Sequence, residues 1–416
     1  MMIETSVSWI GEIPDDWEIG RLKYYLSLKG RIGWQGLTVD EYTEEGPYLI
    51  TGIDFCNGGI DWEDCFHVSK ERYDQAPEIM IKEGDLLITK DGTIGKVAVV
   101  SNMPDKTTLN SGVMVIRNKK DKINLRFMYY VLKSEEFWRW FGDINAGATT
   151  ISHLYQHDLD NFKFALPPKP EQNKIADILD NKVGRAEKVI EVLKKELDVL
   201  EKTKISLITE MVTRGINDDN ELVSIDLDYA DRKPQNWIYT RIKYFCKLES
   251  GDNIVSEIIE EEGKYPVYGG NGLRGYYEKY TNDGEHVLIG RQGALCGNIH
   301  LVHGKFWATD HAVVTYARKY MSNRYLYYLF TAVNFNKYSE TAAQPGLSVK
   351  KIKNVHVCVP NTMEEQEAIA DILDTKCKAF DQVIAAKKTQ IEKMEEYKKT
   401  LIYDYVTGVK RVKGAI

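Results

Sequence analysis

Thr89, Lys90, Asp91, Gly92, Thr93 and Lys96 crowd one short string, and their types suit hydrogen-bond readout of base edges. A lysine or arginine donates to guanine, a glutamine bridges adenine and an aspartate accepts from cytosine. Glycine lets the backbone come close to a groove. Arg291, Gln292 and Gly293 repeat that set in altered form farther along the chain. Two more polar loops join them. Tyr268, Gly269, Asn271 and Arg274 make an aromatic–amide–basic loop, and Thr149, Thr150, Ser152 and His153 are loosely matched by Gln344, Ser348 and Lys350. Any one of these would pass as an ordinary polar turn. Their repetition with divergence points to one scaffold reading two different sequences.

Strings that would do bond-breaking chemistry fail on inspection. Gly270 to Gly275 spells a formal G-x-G-x-x-G, but it runs into YYEKY and not into a helix, so it reads as a glycine-rich turn. GTIGK at 92–96 lacks the spacing and terminal hydroxyl of a phosphate loop. His153 with His157, and His300 with His303, have helical spacing but no third ligand nearby in sequence. There is no serine elbow, no Asn/Asp-Pro-Pro-aromatic string and no carboxylate cluster of the nuclease kind. The expectation is a chain without a catalytic residue, metal or cofactor of its own.

The elements that must position the turns come in two copies. KIADILDNK at 174–182 returns as AIADILDTK at 368–376, an offset of 194 that also carries Glu171-Gln172 onto Glu365-Gln366 and Val212-Thr213 onto Val406-Thr407. Upstream, Trp17 matches Trp237, Gly92 matches Gly293 and Arg126 matches Arg324, at offsets of 220, 201 and 198. The falling offset means that the first copy is the longer. In the constant segment Ile175, Leu179, Val183, Ala186, Ile190, Leu193, Leu197 and Leu200 follow spacings of 4, 4, 3, 4, 3, 4 and 3. Ile369, Leu373, Cys377, Phe380, Ile384, Lys387, Ile391 and Met394 repeat that rhythm. This is a heptad-like seam, broken only by Lys387 opposite Leu193. Prolines at 167, 168, 170 and 360 open the helices, and Gly215 and Gly408 stop them. Each helix should run for roughly 65 Å at about 1.5 Å per residue. A seam so narrow needs a partner, and antiparallel pairing with its own repeat is expected, with the globular units at opposite ends about an approximate two-fold.

The globular units read as mixed, strand-rich α/β. LLITK (86–90), KVAVV (96–100) and GVMVIRN (112–118) are matched by HVLIG (286–290), NIHLV (298–302) and AVVTYA (312–317), and helical stretches follow near 124–140 and 322–335. The expected divisions are a recognition domain at 1–166, a helix at 167–215, a recognition domain at 216–360 and a helix at 361–416. With 416 residues, 43% hydrophobic and 28% charged, the chain has ample material for more than one core. The net charge of −7 excludes polyanion binding by bulk charge and leaves it to local patches. No apolar run reaches the ~20 residues that span a bilayer, the N-terminus lacks the layout of a secretory signal, and six scattered cysteines read as reduced thiols of a cytoplasmic protein.

EQNKIADILDNK, EQEAIADILDTK, the endings LITEMVTRG and LIYDYVTGV, the openings IPDDWEIGRLKYY and QNWIYTRIKYF, and YPVYGGNGLRGYY together resemble the specificity subunit of type I restriction–modification systems. The resemblance spans nearly the whole chain. It implies two target recognition domains, each reading half of a split site in double-stranded DNA, on conserved spacer helices that dock two methyltransferase subunits. It also implies restriction subunits that translocate and cleave, with S-adenosylmethionine, ATP and Mg used only by those partners. The rival expectation is a coiled-coil adaptor whose globular ends bind proteins. That would explain the helices but not the paired, diverged loops.

Overall fold

The computed structural model describes residues 1–31, 36–146, 153–217, 221–293, 296–339 and 346–412. It divides into two compact units, one built from 1–192 with 390–416 and the other from 193–389. Two long helices, Lys169–Arg214 and Met363–Val406, run for 46 and 44 residues. Each unit takes part of both helices, so the helical seam and the globular core are one packing problem.

In the first unit a four-stranded sheet has the order Val97–Val99, Leu86–Thr89, Val113–Asn118 and Leu26–Gly30, all antiparallel. The two central strands are almost wholly buried, as expected of continuous apolar runs covered on both faces. A three-stranded sheet adds Thr107–Leu109, parallel to Tyr42–Ile50, and Phe66–Val68. Glu18–Arg21 pairs with Lys163–Leu166, bringing the start of the unit to the foot of the first long helix. The helical stretch expected near 124–140 is two helices, Leu125–Lys133 and Glu135–Ile144, parted at Ser134. Phe127, Phe137, Phe162 and Phe164 share a core with Ile175, Leu179 and Val183 of one long helix and Leu401, Ile402 and Val406 of the other.

The second unit repeats that plan. Ile299–Val302, His286–Gly290, Ala312–Ala317 and Cys246–Ser250 form its four-stranded sheet in the same order. Trp307–Ala308 lies parallel to Tyr265–Gly269, which pairs with Gly272–Tyr277. The glycine-rich string at 270–275 is thus the turn of a β-hairpin and the first residues of its second strand. Ile238–Arg241 pairs with His356–Val359. Tyr325, Phe330 and Phe335 share a core with Ile208, Val212, Ile369 and Leu373.

Within each unit the helical stretches run antiparallel. In the first, Lys182 Nζ lies 3.4 Å from the Tyr405 hydroxyl and Lys398 Nζ lies 3.6 Å from Glu187. In the second, Lys204 Nζ lies 2.6 Å from Asp381 and Lys388 Nζ lies 3.3 Å from Glu201. Seam residues Ile175, Leu179, Val183, Ala186, Ile190 and Leu193 are buried, and so are Ile369, Leu373, Cys377 and Ile384. Leu197, Leu200, Phe380, Ile391 and Met394 are half-buried. Lys387 keeps its side chain 75% covered and passes the ammonium out to Glu196, the usual way a long cation occupies an apolar stripe.

Candidate nucleic-acid interface

The repeated sequence letters make repeated bonds. The indole N–H of Trp17 donates to Glu171 at 3.0 Å and that of Trp237 to Glu365 at 2.9 Å. Gln172 accepts from the Asn124 amide at 2.8 Å and Gln366 from the Ser322 amide at 3.0 Å, each satisfying a backbone group at the entry of the following helix. Arg126 spans Asp177 and Asp180, and Arg324 spans Asp371, Asp374 and Glu367. Tyr130 and Tyr328 donate to Asp180 and Asp374. The EQ-x3-AD-x2-D pattern is therefore a clasp that fixes each globular fold to its helix.

The clasp and sheet hold one polar turn per unit in a common backbone frame. The Lys90 amide donates to the Gly112 carbonyl at 2.8 Å, and the Lys90 carbonyl accepts from the Leu154 amide at 3.1 Å. In the second unit the Arg291 amide donates to His311 at 3.0 Å and the Arg291 carbonyl accepts from Leu347 at 2.9 Å. Thr89 and Gly290 begin the two turns, each donating its amide across to Lys96 and Asn298. Gly92 and Gly293 both have positive φ, +70° and +86°, which a side chain would strain. The frame is constant; the side chains on it are not.

In the first unit Asp91 is gripped from both sides. One carboxylate oxygen lies 2.7 Å from His153 Nδ1 and the other 3.2 Å from Lys90 Nζ. Burial opposes the charge, but the His153 hydrogen bond and the Lys90 ammonium outweigh it and hold the carboxyl below the usual range. Asp91 thus organises Lys90 and His153, which are the donors left to face outward, in place of acting first as an acceptor for cytosine. Thr93 and Lys96 both reach the Gly52 carbonyl, at 3.4 and 3.2 Å. Thr89 is a correction: it is wholly buried, and its hydroxyl donates to the Thr93 carbonyl and accepts from the Lys96 amide, so it shapes the turn from within.

In the second unit Arg291 is anchored by Nη1 on the Ser250 hydroxyl at 2.8 Å, while its buried Nε has no partner among the described residues. The backbone of Gln292 forms an antiparallel bridge with Gly346. The loop of Asn271 abuts this turn: a β-carbon on Gly270 would stand 3.0 Å from the His311 carbonyl oxygen and 3.2 Å from that of Gln292. Asn271 accepts from Asn298 at 3.2 Å. Arg274 lies farther off, with its stem against Gly269 and Nη2 3.3 Å from Ser256. Tyr268 turns partly into the core, edge-on to Phe306. Ser348 caps the helix Val349–Asn354, and Lys350 is exposed on it. Thr149, Thr150, Ser152 and Gln344 lie outside the described residues.

Sequence reading missed Gly52, Ser250 and His311, which buttress the turns from other segments, and with Gly52 the loop at 51–54, where Asp54 accepts from the Thr51 amide at 2.6 Å. The signal available was register: the TGIDF string stands after its strand as GGNGL does after the matching one.

Fold and site together define a duplicated α/β scaffold that carries a diverged polar turn on each copy. The chain belongs to the type I restriction modification DNA specificity domain family, whose model matches residues 14–202 and 234–393. It is 30% identical over 303 residues to the type I restriction enzyme EcoprrI specificity subunit of Escherichia coli, covering 71% of each protein. It is 24% identical over 436 residues to the type I restriction enzyme MjaIX specificity subunit of Methanocaldococcus jannaschii, covering 97% of this chain and 95% of that one. A chain solved in a study of complex assembly and conformational transition of the type I R-M system has the same fold, with a TM-score of 0.67 at 16% identity over 95% of this chain and 98% of that one.

Proposed function

We propose that this chain is the DNA sequence-specificity subunit of a type I restriction–modification complex. Each unit reads one half of a bipartite site, and the long helices set the unread gap and dock methyltransferase subunits, two of them by the symmetry of the repeat. The observation that carries this is the pair of turns at Lys90 and Arg291: matching backbone hydrogen bonds at their ends with different side chains between are what two readers of different half-sites require. The chain supplies recognition and no catalysis. S-adenosylmethionine, ATP and Mg belong to the methyltransferase and restriction subunits, and the complex works in the cytoplasm, where its DNA is. Methylome sequencing of a host carrying the complete system tests the reading. A modified motif of two short blocks around a fixed unread gap is expected; a continuous motif, or none, contradicts it.

A further inference from the structure

The helix that follows each turn occupies the same station in both units. Gln156–Asn161 starts two residues after Leu154 and Val349–Asn354 two residues after Leu347, the residues whose amides hold the turns. Leu159 and Ile352 are its buried anchors, each fully covered. At the far end Lys23 donates to Asn161 at 2.9 Å and Lys243 to Asn354 at 3.2 Å. The frame is shared, but the charge is opposite. The first helix carries Asp158 and Asp160, whereas the second carries Lys350, Lys351 and Lys353.

In the second unit Lys337, Ser339 and Ser348 join Lys350 and Lys351 along an open groove. Asp226 and Asp228 line it too, Asp228 accepting from the Tyr338 hydroxyl at 2.8 Å. Lys351 also reaches the Tyr338 carbonyl at 3.4 Å, so it belongs partly to the scaffold. A concentration of lysines beside the turn stands out in a chain of net charge −7.

We propose that Lys337 and Lys350, which line this groove, grip the DNA phosphates flanking the site read by the second unit, and that the acidic helix of the first unit makes no equivalent contact. A duplex carries one charge per about 1.7 Å of axis, so phosphates lie beside any base the Arg291 turn reaches. Phosphate contacts fix register and affinity without carrying sequence, and so one half can hold while both halves read. The acidic helix of the first unit repels the same backbone, which leaves that half to be selected by base contacts. This rests on the DNA-reading function proposed above.

The test is a salt titration of the chain assembled with its methyltransferase subunits on a random-sequence duplex. Replacing Lys337→Gln together with Lys350→Gln should lower the slope of log affinity against log salt by about two, roughly one per lost phosphate contact. Asp158→Lys with Asp160→Lys in the first unit should raise it by a similar amount, and this gain of function guards against a misfolded double variant. A wild-type slope in both variants, or weakened subunit assembly with DNA binding unchanged, overturns the phosphate grip. Failure of the wild-type complex to bind any duplex would instead overturn the function beneath it.

Discussion

The Trp17 indole and the Glu171 carboxylate meet at 3.0 Å in the core of the first unit, and Arg411 closes on the same carboxylate from the C-terminal segment at 3.0 Å. Arg411 also spans both oxygens of Asp16 at 2.8 Å. The second unit has the tryptophan and the glutamate, Trp237 and Glu365, but Asn217 stands where the repeat would place the arginine. The Glu171 side chain is only 3% exposed and so depends on its partners, because a buried carboxylate left unpaired is costly.

Arg411→Ala should therefore destabilise the first unit by about 1–3 kcal/mol, the range for losing a hydrogen bond to a charged group. Trp17→Phe alone should cost less, since Arg411 still holds Glu171, and the double variant should cost more than the sum. Calorimetric unfolding of the four proteins checks this. Additive losses would show that Arg411 acts through Asp16 alone.

The clasp explains what could be read beforehand. Glu171, Gln172, Asp177 and Asp180 sit on one helix at fixed spacing, so their duplication survives as a constant offset that a sequence shows directly. Trp17 and Arg126 were legible for the same reason, being matched to Trp237 and Arg324 across the repeat. Ser250, Gly52 and His311 were not, because each reaches its turn from a segment distant in sequence and carries no periodic mark. Thr89 was misjudged because alternation along a strand does not say which way the last side chain points when the sheet is covered on both faces. The charge reversal between the helices at 156 and 349 was plain in the letters, but its meaning needed the shared hydrogen bonds at Leu154 and Leu347 to show that the two helices are equivalent.

Glu136 is 5% exposed, and neither of its carboxylate oxygens has a hydrogen-bond partner among the described residues. Burial pushes its carboxyl up, while the Ser134 hydroxyl is spent on the Val131 carbonyl at 2.7 Å. A carboxyl raised in the folded state is penalised wherever it must ionise, so stability falls as pH rises from its unfolded value near 4.3 through the raised folded value. Glu136→Gln should then stabilise the first unit at neutral pH by about 1 kcal/mol or more, given that an unsatisfied buried polar group costs roughly 1–3 kcal/mol. The gap should close as pH falls toward 4.3. Melting temperatures at neutral and acid pH check it, and a constant difference would mean that Glu136 stays charged throughout.

Lys387 offers a test of the seam in the second unit. Its ammonium pairs with Glu196, whose side chain is 48% exposed, and such surface pairs contribute about 0–1 kcal/mol. Its place in the repeat is that of Leu193, an apolar residue only 9% exposed. Lys387→Leu should be neutral to stabilising by about 1 kcal/mol, because burying a leucine there outweighs the lost pair. Loss of stability on thermal unfolding would show that the seam selects a cation at this position.

Arg291 and Lys90 occupy one backbone frame in two units, so substituting each should change a different half of the recognised motif. Arg291 is the better anchored, with Ser250 holding one end of the guanidinium at 2.8 Å. Bidentate contact with a guanine is worth about 1–3 kcal/mol of discrimination against a wrong base. Arg291→Ala should relax one position in one half-site by that factor and leave the other half-site unchanged, as read from the methylated motif of a host carrying the variant. Lys90→Ala should do the same in the opposite half and to a smaller degree, because a lysine is a point donor without the fork of arginine. Uniform weakening across all sequences would place either residue on phosphate. Relaxation of both half-sites by a single substitution would mean that the two turns do not read independently, and the duplicated frame would lose its purpose.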